Sequence, residues 1–271
     1  MSYFAGIDMG STAIKIVIVD EADEMVGYSI SPTGSHFHRN TLEALNSLLA
    51  RTGIDRKEIL YITSTGYGRK LFKEADETIS EITANAIGAR KTGKTHGTVR
   101  TIINIGGQDS KVILLDDDGH VENFVMNDRC AAGTGRFLEV VARNLEMEVD
   151  EMGECHLNSR GIPLSINSTC TVFAESEVIS LLANGHGRGE IVAGIHYSIA
   201  RRIVRLAKRI GVRNTVLFDG GAALNKGLVL ALEDELMREV VVPDVPQITT
   251  AFGAALAARD AFIAEEANVH V

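Results

Sequence analysis

Residues 7–20, IDMGSTAIKIVIVD, and residues 103–116, INIGGQDSKVILLD, decide how this chain folds. Each reads as two apolar strands joined by a short polar turn containing Gly, which is the signature of a β-hairpin. A shift of 96 residues lays one on the other without a gap. Gly10 then falls on Gly106, Lys15 on Lys111 and Asp20 on Asp116, and the apolar run Ile16–Val19 falls on Val112–Leu115. A repeated strand–turn–strand pattern implies two similar halves, each carrying a loop of the type that approaches a phosphate.

Outward from these hairpins, a third strand is expected near 24–30 and its counterpart at 120–126. Leu42, Leu45, Leu48 and Leu49 give helical spacing over 41–52. A strand follows at 59–64, then the Gly-punctuated loop TGYGR (65–69) and a helix over 78–92. Past residue 127 the chain turns helical, with amphipathic segments at 134–146 and 170–184. A long helix covers 190–210, where Ile191, Ile195, Ile199, Ile203, Leu206 and Ile210 form one stripe. A strand at 215–218 meets GGAALN, and helices lie near 223–238 and 250–265. The pattern is α/β. The expected division is residues 1–97 plus a returning helix at 250–271 for the first half, and 98–249 for the second.

Composition excludes several classes of function. With 45% hydrophobic and 23% charged residues, the 271-residue chain has an ordinary globular balance. No Trp, 5% aromatics and a net charge of −9 argue against a nucleic-acid partner. No apolar run reaches the roughly 18 residues of a membrane span, and the start, MSYFAGIDMG, lacks the features of a signal peptide. Three widely spaced cysteines do not make a disulfide framework, so the reducing cytoplasm is the expected compartment.

Three Gly-rich turns follow strands: GIDMGST (6–12), NIGGQDS (104–110) and FDGGAALN (218–225). Glycine lets the backbone approach a ligand and lets N–H groups converge on an anion. Ser11 and Thr12 add hydroxyl donors, and Lys15 a point charge for a phosphate. Asp8 and Asp109 are candidates to hold hydrated Mg²⁺. No GxxxxGK[ST] loop occurs, nor a GxGxxG after the first strand, which disfavours P-loop and dinucleotide folds. The three turns resemble the two phosphate loops and the adenosine loop of the actin, sugar-kinase and heat-shock-chaperone ATPase superfamily. That resemblance implies two ribonuclease-H-like domains with ATP in the cleft between them. Gly10, Ser11, Thr12 and Lys15 would then touch the phosphates from one side, and Gly106, Gly107 and Gln108 from the other. Gly220, Gly221, Ala222 and Asn225 would lie along the adenosine, and Asp8, Gln108 and Asp109 would serve catalysis.

Cys130, in MNDRCAAGTGRFLE, and Cys170, in NSTCTVFAESE, each lie at or just before the predicted start of a helix. A helix N-terminus favours thiolate through its unpaired N–H groups and dipole. A Cys₄ iron–sulfur cluster needs four thiolates, and two chains related by a two-fold axis would supply four around one shared cluster. Cys155, in GECHLNS, lacks this setting and reads as structural or surface. A single-chain zinc site from Cys130, Cys155, Cys170 and His156 is the competing arrangement, though it lacks close CxxC pairs. The eight histidines are scattered and read as bland.

The segments GIDMGSTAIK, TGYGR, NIGGQDSKV, MNDRCAAGTGRFLEV, STCTVFAESEVIS and FDGGAALN, in this order, are similar to the signature of the ATP-dependent activators of 2-hydroxyacyl-CoA dehydratases. This is the BadF/BadG/BcrA/BcrD group, which includes ATPase subunits of benzoyl-CoA reductases. PQITTAFGAALAA is similar to the family's closing helix, and FDGG stands where the family more usually has TGG. The resemblance implies a homodimer with one [4Fe–4S] cluster held by Cys130 and Cys170 of both chains. It implies ATP hydrolysis driving one low-potential electron onto a dehydratase or acyl-CoA reductase, with a ferredoxin or flavodoxin as donor. Gly133, Thr134 and Gly135 would reach the nucleotide from the cluster helix. The rival readings share the Gly-rich turns and leave the cysteines unexplained: a small-molecule (sugar or acid) kinase of the same superfamily, and a nucleotide-dependent chaperone or filament subunit.

Overall fold

Strands β1 (Tyr3–Met9) and β2 (Ala13–Asp20) pair antiparallel, with Asp8 opposite Lys15. The computed structural model that shows this describes residues 2–127, 133–166 and 171–269. Strand β3 (Met25–Pro32) continues antiparallel on β2, and helix α1 (Phe37–Thr52) follows. The chain then returns as β4 (Ile59–Thr65), parallel to β1 on its other side, a connection that needs a crossover helix. Strand β5 (Glu77–Thr78) and helix α2 (Glu81–Thr92) complete the pattern, giving the sheet order β3-β2-β1-β4-β5.

The same path is then walked again. Strands β6 (Thr101–Ile105) and β7 (Ser110–Leu115) pair antiparallel with Asn104 opposite Lys111. Strand β8 (Val121–Asn127) lies next to β7. Four helices follow: α3 (Gly135–Asn144), α4 (Glu151–Leu157), α5 (Thr171–Ala183) and α6 (Arg188–Ala207). Strand β9 (Val216–Asp219) runs parallel to β6, followed by α7 (Lys226–Leu236) and β10 (Val240–Val241). The sheet order is β10-β9-β6-β7-β8, which is the first order read from its other edge. The repeat in the sequence is thus a repeat of topology.

The chain divides into two compact units, Met1–Thr98 with Asp117–Val121 and Gln247–Val271, and Val99–Asp116 with Glu122–Pro246. Helix α8 (Thr249–Val269) belongs to the first, where it packs on β1, β4 and α2. Its small residues allow close approach: a Cβ on Gly253 would sit 1.8 Å from the Ala84 carbonyl oxygen. Ile7, Ile16, Ile18, Leu45, Leu48 and Ile62 centre the core of unit 1. Ile103, Val112, Phe137, Ile191, Ile195, Ile199 and Phe218 centre that of unit 2.

Three short elements lay outside the expectations. Strands β5 and β10 have two residues each, too few for any periodicity, and α4 has seven, about two turns. Helix α2 starts at Glu81 rather than 78 because the Ser80 side chain accepts the Thr83 N–H and caps it. Of the α6 stripe, Ile191 to Ile203 is buried, whereas Leu206 and Ile210 are half-buried. No described helix is long and apolar enough to cross a membrane.

Candidate functional site

The first Gly-rich turn closes tightly. The Gly10 N–H donates to the Ala13 carbonyl at 3.1 Å, and the Thr33 hydroxyl to the Gly10 carbonyl at 2.7 Å. Lys15 Nζ meets Asp8 Oδ2 at 3.0 Å. The other Asp8 oxygen, Oδ1, is buried and has no hydrogen-bond partner among the described residues. Such a group calls for a water or a cation, because a buried acceptor without a donor is costly. TGYGR packs over this end of β1: the Gly68 N–H donates to the Met9 carbonyl at 2.9 Å. Gly66 has φ +85°, and a Cβ there would sit 2.4 Å from Asp8 Oδ1. Asp8, Gly10, Ser11, Thr12 and Lys15 are thus brought together on unit 1, with Ser11 and Thr12 partly exposed.

The second turn repeats that closure, the Gly106 N–H donating to the Asp109 carbonyl at 2.9 Å. Lys111, whose side chain is 3% exposed, pairs with Asp109 Oδ2 at 2.8 Å. A buried ammonium is tolerable only when paired. The sequence reading gave Lys111 no role of its own, although the shift by 96 residues had placed it on Lys15. Gln108 is exposed at the tip of the turn.

Helix α3 starts against this turn. The Gly135 N–H donates to the Gly106 carbonyl and the Arg136 N–H to the Gly107 carbonyl, each at 2.9 Å. These are two of the helix's orphan donors. Gly133 adopts φ +116°, and the buried Thr134 is the N-cap residue. Gly135 and Arg136 therefore meet the second turn directly, and these two N–H groups of α3 are spent on it.

The third turn is fixed from below. Gly220, with φ +86°, donates its N–H to the Pro246 carbonyl at 2.9 Å, and a Cβ there would lie 2.3 Å from the Ile105 carbonyl oxygen. Asp219, fully buried, accepts from Asn104 Nδ2 at 2.7 Å. Ala222 is buried and Gly221 is exposed. Asn225 ends the turn and caps α7, its Oδ1 accepting the Leu228 N–H at 3.0 Å. Its Nδ2 faces His196 Nε2 at 3.1 Å, and His196 Nδ1 faces His156 Nδ1 at 2.9 Å. Burial holds His196 down at about 3, with the His156 ring a lesser cause in the same direction. Burial also pushes His156 below its usual value, against a backbone hydrogen bond with Gly227 and the Asp234 carboxylate. Reading the histidines as bland missed this pair: only the spacing of His196 between Ile195 and Ile199 on a buried helix face marked it.

Cys130 and Cys170 lie outside the described residues. The described part of α5 begins at Thr171, directly after Cys170, whereas α3 begins at Gly135, five residues beyond Cys130. The N-cap of α3 is Thr134. Cys155 is half-buried, and burial raises its thiol, with Arg188 opposing. The zinc arrangement needs Cys130 and Cys170 and so lies outside the described residues as well.

The comparisons with known proteins agree with this architecture. The BadF/BadG/BcrA/BcrD ATPase family model matches residues 5–258. The activator of lactoyl-CoA dehydratase from Anaerotignum propionicum is 46% identical over 260 residues, covering 96% of this chain and 98% of that one. The structure of the activator of the 2-hydroxyisocaproyl-CoA dehydratase from Clostridium difficile with bound ADPNP superposes with a TM-score of 0.91 at 46% identity, covering 99% of this chain and 98% of that one. A ROK family glucokinase from Streptomyces griseus, at 14% identity and a TM-score of 0.57 over 96% of this chain and 100% of its own, shares the fold alone. The family model over residues 5–258 and relatives 46% identical over nearly the whole chain place this chain in the BadF/BadG/BcrA/BcrD ATPase family.

Proposed function

We propose that this chain is an ATP-hydrolysing activator that delivers a low-potential electron to a 2-hydroxyacyl-CoA dehydratase or a related acyl-CoA reductase. Gly10, Ser11, Thr12 and Lys15 bind phosphate, as do Gly106 and Gly107. Gly220, Gly221, Ala222 and Asn225 form the adenosine loop. Asp8 and Asp109 hold hydrated Mg²⁺, and Gln108 orients the attacking water. The unpartnered Asp8 Oδ1 supports the cation role, since a hard ion or its water supplies what that oxygen lacks.

Cys130 and Cys170 of two chains would hold one [4Fe–4S] cluster on the axis of a homodimer. The start of α5 directly after Cys170 supports this, because helix N–H groups favour thiolate. When bound, the cluster supplies a one-electron carrier, recharged by a ferredoxin or flavodoxin in the cytoplasm. The observation that carries the reading is the joint between the second turn and α3, the two 2.9 Å bonds from Gly135 and Arg136 to Gly106 and Gly107. A movement of that turn on hydrolysis would be passed to the start of α3. Nucleotide must bind the two arrangements with different affinity for this to shift anything.

The test is anaerobic purification of wild type, Cys130→Ser and Cys170→Ser. Wild type is expected to be brown and dimeric, with iron for one cluster per dimer and ATP-dependent electron transfer. Both variants are expected to bind ADPNP but lose iron and transfer. Wild type that takes up no iron on anaerobic reconstitution, or variants that still transfer electrons, would overturn the proposal. A phosphorylated sugar product would point to the kinase instead.

A further inference from the structure

We infer that the His196–His156 pair is a positioning device for the adenosine loop, holding it through the side chain of Asn225. This rests on the function proposed above, which places Asn225 in that loop.

The hydrogen atoms follow from donor chemistry. Asn225 Oδ1 accepts the Leu228 N–H, so its NH₂ faces His196. An amide NH₂ only donates, so His196 Nε2 is the acceptor. A neutral imidazole carries one hydrogen, so His196 bears it on Nδ1 and donates to His156 Nδ1 at 2.9 Å. The chain of bonds therefore has one direction, from Asn225 through His196 to His156, and joins α7, α6 and α4. The space is tight: a Cβ on Gly227 would sit 2.7 Å from His156 Nδ1 and 2.9 Å from His196 Nδ1. Gly153 is constrained less severely, an added Cβ there meeting Asn225 Oδ1 at 3.2 Å.

One proton on His156 would undo the series. Both its nitrogens would then donate, and Nδ1–H would face the Nδ1–H of His196. To accept it, His196 must move its own hydrogen to Nε2, which then faces the Asn225 NH₂. Relief requires the amide to turn over, which sets its NH₂ against the Leu228 N–H and uncaps α7. Tyr197 of α6, at 5.8 Å between rings, and Asp234 of α7 are the other titratable groups facing His156. They are bonded to each other, Tyr197 Oη to Asp234 Oδ2 at 2.5 Å. The low values of both histidines keep the series intact at neutral pH.

The experiment titrates ADPNP and, separately, inorganic tripolyphosphate onto wild type, His156→Asn and His196→Leu from about pH 8 to about pH 5. Tripolyphosphate reports the phosphate loops without the base. Asparagine places a non-titrating acceptor where Nδ1 sat, so His156→Asn is the conservative rescue. Wild-type ADPNP affinity is expected to fall about tenfold across the range, and that of His156→Asn less than about twofold. His196→Leu is expected to bind ADPNP about tenfold more weakly even at about pH 8, with tripolyphosphate unchanged. The idea is overturned if His156→Asn keeps the wild-type profile, or if His196→Leu weakens both probes alike. Should His196→Leu not fold, the His156→Asn comparison alone decides. Wild type that binds no ADPNP would overturn the proposed function as well, and so is told apart from failure of the relay alone.

Discussion

The Gly10 N–H closes the β1–β2 turn on the Ala13 carbonyl, and the Gly106 N–H closes the β6–β7 turn on the Asp109 carbonyl, at positions 96 residues apart. The backbone device is the same, but the charges are not. In unit 1 a carboxylate, Asp8, stands on β1 beside Thr65 of β4. In unit 2 the matching pair is reversed in kind, with the amide Asn104 on β6 beside the carboxylate Asp219 on β9. Lys15 pairs with its cross-strand partner Asp8, whereas Lys111 sits opposite Asn104 and pairs with Asp109 of the turn instead. Repetition kept the fold of the turn and relocated its acid. Unit 1 offers a carboxylate oxygen with a coordination place open, while unit 2 buries Asp219 against Asn104 and sets its charge pair at the turn.

The largest expected effect concerns the glycine that follows each of these β4 and β9 residues. Gly66 and Gly220 have nearly the same φ, +85° and +86°. At Gly220 an added Cβ meets the Ile105 carbonyl oxygen at 2.3 Å, which is backbone and cannot swing aside. At Gly66 the nearest atom is Asp8 Oδ1, the end of a side chain, and the backbone atoms, of Met9, stand farther off at 2.9 Å. Gly220→Ala should therefore cost about 4 kcal/mol, combining left-handed strain and overpacking. Gly66→Ala should cost less in stability but displace Asp8 and remove Mg²⁺-dependent ATP hydrolysis. Chemical denaturation and an ATPase assay on both variants measure the two losses. Equal denaturation midpoints would break the distinction.

The lysines come next. Lys111→Met would leave Asp109 without its partner in a site where the ammonium was buried, and should destabilise by about 3 kcal/mol. Lys15 is 20% exposed in its side chain, but its partner Asp8 is only 5% exposed, so Lys15→Met strands a buried carboxylate and should also cost about 3 kcal/mol. Lys15→Met should be the more damaging to nucleotide affinity, since the proposed function assigns that ammonium to a phosphate. Paired measurements of denaturation midpoint and ADPNP affinity sharpen the contrast. It fails if the two variants lose ADPNP affinity equally.

Much of this was legible before any coordinates. The hairpins were visible because strands with buried faces are apolar and because Gly, Ser and Thr mark turns. The shift of 96 residues survived folding intact, down to equivalent hydrogen bonds at Gly10 and Gly106. What the residues could not display was pairing across distance. Asn104 with Asp219, and His156 with His196, are far apart in the chain and meet only through sheet order and helix packing. Lys111 could be aligned with Lys15, yet its partner lies two residues away on the turn rather than across the ladder. Short elements such as β5 and α4 offered too few residues to carry a period.

Acid should also separate the units. His196 has a folded value of about 3 against an ordinary 6.5, so the unfolded chain holds more protons between those limits. Stability from this group is complete above about pH 6.5 and is lost as pH falls toward about 3, by up to about 1.4 kcal/mol per unit. His156, also lowered, adds loss of the same sign. The described histidines of unit 1, His36, His38, His96 and His120, are all exposed. Hydrogen exchange from about pH 7 to about pH 5 should therefore loosen amides of α4, α6 and α7 before those of β1 and β4. Uniform loosening, or loss in unit 1 first, would contradict the assignment.

The smallest change in stability is expected one residue from the largest. A Cβ on Gly221 has nothing within 4 Å, and the position is exposed, so Gly221→Ala should shift stability by no more than about 0.5 kcal/mol. Gly220 is glycine because its backbone leaves no alternative. No such reason holds at Gly221, where the open space is explained if a ligand lies against that backbone. ADPNP affinity should then fall in Gly221→Ala while the denaturation midpoint stays put, and tripolyphosphate affinity should not move, since the methyl group would meet the adenosine rather than the phosphates. Unaltered ADPNP binding would remove Gly221 from the adenosine loop and leave the neighbouring pair of glycines with a structural role at Gly220 alone.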